Sequence, residues 1–229
     1  MAKQTSSHPY LKTSVYRVTK VYVCLSGFIL AWVNLQGLHF SWALSAITFP
    51  RWISSGATLL ATTAVALLDA VPGDHLKAAL VFWRWKNPLP GSRAFEKAYL
   101  ESDHRISITG LREHLGGVFS RSPREQNATW YRLYKTVEAE PAIAGTHYEY
   151  LLFRDLTWFT ALLATLALVS IATNRELWRE LLAYAAIAIV MYVLFARAAS
   201  ERGHRFVRTV LAVVAARPAE TKNPELQTL

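Results

Sequence analysis

The chain has 229 residues, 52% of them hydrophobic, with 25 Lys and Arg against 16 Asp and Glu and a formal net charge of +9. Its single cysteine, Cys24, excludes an intramolecular disulfide and a cysteine-based zinc site. So high an apolar content with such sharply clustered charge argues against an ordinary soluble domain and predicts an all-α integral membrane protein.

The leader, residues 1–20, carries Lys3, Lys12, Arg17 and Lys20. Between Lys20 and Arg51 there is no charged residue. That stretch is longer than the roughly 20 residues a spanning helix requires. It also exceeds the apolar core of about 7–15 residues in a cleaved signal peptide. Residues 21–70 are therefore expected to form a first transmembrane hairpin, with spans near 21–40 and 52–70 and a stop at Pro72-Gly73. Cys24 is expected to be a small buried apolar residue. Asn34, Gln36, Ser55, Gly56, Ala57 and Ala61 are expected to serve helix–helix packing.

Residues 71–155 are expected to form a mostly helical cytoplasmic module. Taken from Asp69 to Asp155, it holds 12 basic and 11 acidic residues, which argues against direct nucleic-acid binding. His75–Lys86 reads as a helix lying along the membrane interface, with an apolar body and a Trp/Arg/Lys tip. The run from Asn87 to Gly91, with two prolines, breaks it. A short helix over 93–100 is expected to be capped by Ser92, and another over 111–115 to be ended by Gly116-Gly117. Ser122-Pro123-Arg124-Glu125 has the pattern of a capping box with proline at the first helical position. The helix it opens places Trp130, Leu133, Tyr134 and Val137 on one face for burial.

After Pro141 the chain should run as helix straight into a third span, 156–173. A short loop, 174–180, then makes the fourth span, 181–196, its antiparallel neighbour, with Glu176, Arg179 and Glu180 pairing locally. The last helix should continue through 197–216 in a cytoplasmic segment, 197–229. Arg197, Glu201, Arg205 and Arg208 share one face there, and Phe206, Val210 and Val213 another. Gly203 is read as a hinge and Pro218 as the stop. Of the 25 basic residues only Arg51, Arg175 and Arg179 fall in the two hairpin loops, so both termini and the module are expected on the cytoplasmic side of the inner membrane. The fold expected is four transmembrane helices in two hairpins with the module between them.

Candidate chemistry lies in the module. The basic runs Arg84, Lys86, Arg93, Lys97 and Arg121, Arg124, Arg132, Lys135 suit lipid phosphates or an anionic ligand gripped by Arg forks. Gln126, Asn127, Trp130, Tyr131 and Tyr134 form either a polar-aromatic pocket or a packing face, and packing is favoured. His104, His114 and His147 are candidate acid–base or metal residues, but metal-ligand spacing is lacking, so structural roles are favoured and no metal or cofactor is expected. The serines lack a nucleophile-elbow context. With few ionisable groups inside the spans, a coupled transporter is disfavoured.

The leading expectation is a non-enzymatic, homo-oligomeric effector or sensor subunit in the lipid bilayer. Its module binds a protein partner or an anionic ligand through Arg84, Arg93, His104, Arg112, His114, Arg121, Arg124, Gln126, Asn127, Trp130 or Tyr134. The general plan is similar to that of small membrane effectors of bacterial antiphage defence, which implies an effect on membrane permeability. The alternatives are a membrane-bound enzyme acting on a lipid or phosphate substrate, with His104, His114, Arg112 and Arg124 as candidates, and a structural subunit of a larger membrane complex.

Overall fold

The computed structural model describes residues 9–36, 68, 71–117, 119–173 and 175–217, and among them regular structure is entirely helical. Two stretches, Pro141–Ala172 and Arg175–Ala216, are long and apolar enough to cross a membrane. The expected second span and the turn before it lie outside the described residues apart from Leu68, as does Pro218.

Helix α1 is Pro9–Gln36, α2 Asp74–Phe82, α3 Lys97–Glu101, α4 Ile108–Leu115, α5 Pro123–Val137, α6 Pro141–Thr173 and α7 Trp178–Ala216. Both α6 and α7 contain no proline after the first turn and run unbroken from the module to the apolar end, as expected from the sequence. A single turn of 3-10 helix, Arg175–Leu177, reverses the chain between them. There Arg179 lies over the Trp178 ring at 5.3 Å.

α1 packs against this hairpin. Its Tyr22 hydroxyl pairs with Thr160 Oγ1 at 2.8 Å, and its ring meets Phe195 edge-on. Tyr184 donates to the Ser26 carbonyl at 2.8 Å. Leu30 joins Leu163, Ala167, Leu181 and Ala185 in a small core. The partners on α6 advance from Thr160 to Ala167 as α1 advances from Tyr22 to Leu30, so α1 runs in the same direction as α6. Buried Thr157 and Thr160 satisfy their hydroxyls on carbonyls one turn back, at 2.7 Å each, so neither exposes an unpaired polar group.

At the far end these helices turn large apolar side chains outward: Val21, Leu25 and Phe28 on α1, Leu166 and Val169 on α6, Ile187, Val190 and Leu194 on α7. Only 22% of the most apolar stretch of α7 is buried inside the fold. Cys24 belongs to this outward surface, contrary to the expectation of burial: α1 packs its other face on the hairpin, and residue 24 sits between exposed Val21, Leu25 and Phe28.

The near halves of α6 and α7 do the opposite. Ile143 and Tyr150 of α6 and Phe206, Val207, Val210 and Leu211 of α7 are buried together with Phe95, Leu100, Leu111 and Trp130 from the short helices. Among the described residues of 86–155 and 197–217, Tyr131 is the one large hydrophobic side chain that is exposed.

Several local expectations are corrected. The helix after Pro72-Gly73 ends at Phe82, because Trp83 takes the left-handed conformation, φ 52°, and caps it. Its Lys77 is 3% exposed and pairs with Asp155 at 3.4 Å. Ser92 caps nothing; it is buried inside a 3-10 turn, Pro90–Arg93, and the following helix starts at Lys97 behind Glu96. α4 starts at Ile108, earlier than expected, because Ser107 accepts from the Gly110 amide; it ends as expected, with Gly116 at φ 70°. α5 begins at Pro123 as expected, but the Ser122 side chain makes no cap bond. Ser120 instead bridges the helix start, accepting from the Ser122 amide at 3.1 Å and donating to the Glu125 carboxylate. Gly203 is not a hinge: α7 passes through it unbroken, and a Cβ there would stand 2.9 Å from Phe82 Cζ.

Candidate functional site

The residues picked from sequence divide into a packed group and an exposed group. Gln126 is 4% exposed, and its Oε1 accepts from the Phe95 amide at 3.1 Å. It therefore fastens α5 to the loop that precedes α3. Trp130 is buried, stacks on Tyr134 at 5.8 Å and meets Phe206 edge-on at 5.3 Å. Asn127 and Trp130 face Gly91 so closely that an added Cβ would stand 2.8 Å and 2.6 Å from them. Tyr134 pairs with His147 Nδ1 at 3.2 Å, and the His147 ring stacks on Phe206 at 4.7 Å. These residues form a packing face; they are engaged with one another rather than lining an opening. His147 is thereby structural.

The exposed group does not converge. His114 Nε2 contacts the Arg217 carbonyl at 3.0 Å, Arg112 lies over Phe119 at 5.8 Å, and His104, Arg121 and Arg124 are exposed. No hydrogen bond or ion pair among the described residues joins any two of His104, His114, Arg112 and Arg124. Among the described residues no group of His, Cys, Asp or Glu side chains is placed to hold a metal ion. Arg93 pairs loosely with Glu96 at 3.7 Å.

Two constellations that sequence reasoning missed lie where the module meets the apolar end. The first is ionic. Arg154 donates to Asp74 at 2.8 Å and lies 3.0 Å from Asp155, which also pairs with Lys77. Burial works against the Arg154 charge, and Asp155, Tyr150 and Asp74 more than reverse it, so its pKa is raised. Tyr150, fully enclosed beside it, is pushed up to about 12, chiefly by burial. At its other end α2 meets α7: Trp83 Nε1 donates to the Tyr192 hydroxyl at 3.0 Å, which donates to the Leu80 carbonyl at 3.0 Å. α2 therefore lies across both α6 and α7, at the level where outward apolar residues give way to the module.

The second is a stripe on α7. Arg197, Glu201, His204 and Arg208 recur at helical spacing on one face. Tyr99 donates to the His204 carbonyl at 2.9 Å, and its hydroxyl lies 3.3 Å from His204 Nδ1. Burial lowers the pKa of His204 first, with Arg208, Arg84 and Arg197 adding to that and Glu201 opposing it. Burial raises the Tyr99 phenol. Periodicity flagged three of the four stripe residues, but Tyr99 reaches it from a distant part of the chain. Comparison with protein-family models, with curated proteins and with solved structures finds no match to this chain.

Proposed function

We propose that the chain is a multi-pass protein of the bacterial inner membrane, a non-enzymatic effector or sensor subunit whose module couples a protein partner or an anionic ligand to a transmembrane bundle. The observation that carries this reading is the continuity of α6 and α7. Each is one helix that is core in the module and outward-facing and apolar beyond it. A core helix of a soluble protein hides its apolar surface, whereas lipid tolerates it.

The reading keeps four spans, and the direction of α1 supports it. That helix leaves the described structure at Gln36, beyond its contacts with Ala167, and the chain returns at Leu68, whose carbonyl accepts from Trp158 Nε1 at 3.1 Å near the module. Residues 1–20, 71–155 and 197–229 then lie on the cytoplasmic side, as the distribution of Lys and Arg favours. The bundle is expected to self-associate and to alter membrane permeability when the module is engaged.

Impermeant maleimide labelling tests this topology in a Cys24→Ser background. In intact cells Glu176→Cys should react, and Arg124→Cys should react only after lysis. Reaction of Arg124→Cys in intact cells refutes the orientation. Extraction of the chain from membranes by alkaline carbonate refutes the embedding.

A further inference from the structure

α2 is inside-out for a helix at the edge of a module bathed in water. Asp74 and His75 of its first turn are exposed, but beyond them its one polar side chain is Lys77, which is buried against Asp155. Leu76, Leu80 and the capping Trp83 recur at helical spacing on the face opposite buried Ala78 and Val81. Leu76 and Trp83 on that outer face are exposed. A surface helix in water places its charges outward and its leucines inward. The same reversal runs through the flanking chain. Among the described residues of 68–85, the large hydrophobic side chains Leu68, Val71, Leu76, Trp83 and Trp85 are exposed, the last two by 64% and 73%. A contiguous apolar surface of this kind marks a site of contact with a membrane or a protein.

α7 fixes the level at which this face lies. Trp83 Nε1 donates to the Tyr192 hydroxyl at 3.0 Å. α7 carries no charge between Glu180 and Arg197. Tyr192 stands about 7–8 Å to the apolar side of Arg197, at roughly 1.5 Å of rise per residue. Its neighbours Val193 and Leu194 are exposed. Trp83 is therefore beside the outward apolar surface of the bundle and not below it. From Trp178 to Tyr192 the helix rises only about 21 Å, less than the roughly 30 Å of a hydrocarbon core. With Trp178 at the outer boundary, the Trp83–Tyr192 pair falls within the opposite leaflet.

The polar groups at this end of α2 are satisfied inside the protein. The Tyr192 hydroxyl that accepts from Trp83 donates to the Leu80 carbonyl at 3.0 Å. The Trp83 and Arg84 amides both reach the Ala79 carbonyl. Lipid supplies no hydrogen-bond partners, so a helix end can enter it only when its groups are paired in this way.

We propose that α2 and the turn after it form a wedge seated in the cytoplasmic leaflet, with Leu76, Leu80, Trp83 and Trp85 against phospholipid where acyl chains meet headgroups. The occupant is lipid because the face is continuous with the outward surface of α7 at Val193 and Leu194, and because tryptophan concentrates at that boundary. This inference rests on the membrane reading above and adds to it the surface by which the module touches the bilayer.

Nitroxide labels on single cysteines in the Cys24→Ser background test it. The full-length protein is reconstituted into vesicles of phosphatidylethanolamine and phosphatidylglycerol. Power saturation in electron paramagnetic resonance then compares access of oxygen, which concentrates in lipid, with that of a water-soluble nickel chelate. At Leu76→Cys and Trp85→Cys the oxygen-to-nickel ratio should be several-fold above that at Arg124→Cys and close to that at Val190→Cys. Leu76→Cys decides alone if Trp85→Cys does not fold. Nickel access at Leu76 and Trp85 equal to that at Arg124, with Val190 in lipid, overturns the wedge. Labels reached by neither reagent show that a second copy or another protein covers the face, and overturn it too. Failure of the membrane reading registers separately, as nickel access at Val190→Cys, and takes the wedge with it.

Discussion

Gly203 offers the sharpest test of how the module grips the bundle, because two readings of it predict effects of opposite sign. If Gly203 were a hinge in an otherwise ordinary helix, replacing it with alanine would stabilise the protein by about 1 kcal/mol through helix propensity alone. In the packed structure the new Cβ would stand 2.9 Å from Phe82 Cζ and 3.1 Å from Tyr150 Cδ2 and Cε2. Tyr150 is enclosed, and half-buried Phe82 is hemmed in by neighbouring rings. Phe82 lies against the rings of Tyr150 and His204, and Tyr150 is buried and stacked on Phe206. Overpacking of this kind costs roughly 1–3 kcal/mol. Set against the propensity gain, Gly203→Ala should be destabilising by about 1 kcal/mol. Phe82→Leu removes the nearest ring atom, so in that background Gly203→Ala should be neutral or stabilising. The double-mutant cycle should then show a coupling of about 1 kcal/mol or more. Unfolding followed by helical circular dichroism in one detergent, across the wild type and the three variants, measures all of it. A rise in stability on Gly203→Ala alone, or additivity with Phe82→Leu, would refute the close-packing argument.

Other predictions concern single contacts. Gln126→Leu should cost about 1–3 kcal/mol, measured in the same way, because it leaves the buried Phe95 amide without its acceptor. Asp103 is held at about 2, first by its hydrogen bond from the Arg105 side chain, against an ordinary 3.8. A depressed carboxyl stabilises fully above the unfolded value, and that contribution disappears as pH falls toward 2. Arg105→Gln should move the Asp103 titration back up, visible in a carboxyl-carbon NMR titration, and should remove that part of the acid sensitivity. Tyr150, pushed up to about 12 from 10.0, works with the opposite sign. The unfolded phenol loses its proton first, so the Tyr150 contribution is intact below pH 10.0 and is lost as pH rises to about 12. Tyr150→Phe should remove that part of the alkaline loss in a pH series of unfolding midpoints.

What the sequence made legible was governed by near neighbours. Pro141 opening α6, Pro123 opening α5 and Gly116 closing α4 are signals that act within one helical turn. The burial of Trp130 and Val137 follows from spacing on one helix. The misplaced features depend on partners far along the chain. The Lys77–Asp155 pair joins residues 78 apart, so no local pattern announces it. Gln126 is legible as part of a packing face, but nothing near it in sequence announces its partner, the Phe95 amide. Gly203 reads as a hinge because glycine is a poor helix former, and only the approach of Phe82 and Tyr150 shows why it is there. At the start of α5 the pattern identifies the helix start, but Ser120 comes between Ser122 and Glu125 by taking the Ser122 amide and the Glu125 carboxylate. Local basic runs grouped Arg84 with Arg93, and the Arg93 charge does act on Arg84; what they could not announce is His204 on α7, whose pKa the Arg84 charge also lowers.

The contacts of α2 decide how motion in the module would pass into the bundle. A flexible tether would leave its charges in water and its polar groups unpaired with the long helices. α2 instead places Lys77 against Asp155 on α6 and the Leu80 carbonyl against Tyr192 on α7. Buried ionic contacts are steep in distance and costly to break singly. Sliding α2 along the hairpin would therefore separate Lys77 from Asp155 before it had moved far, and would drag on Arg154 through Asp74. The cheaper response is for α6 and α7 to move with α2. A displacement of α2 would then reach the apolar ends of α6 and α7 by rigid movement of helices that are continuous through the junction, with no separate relay required.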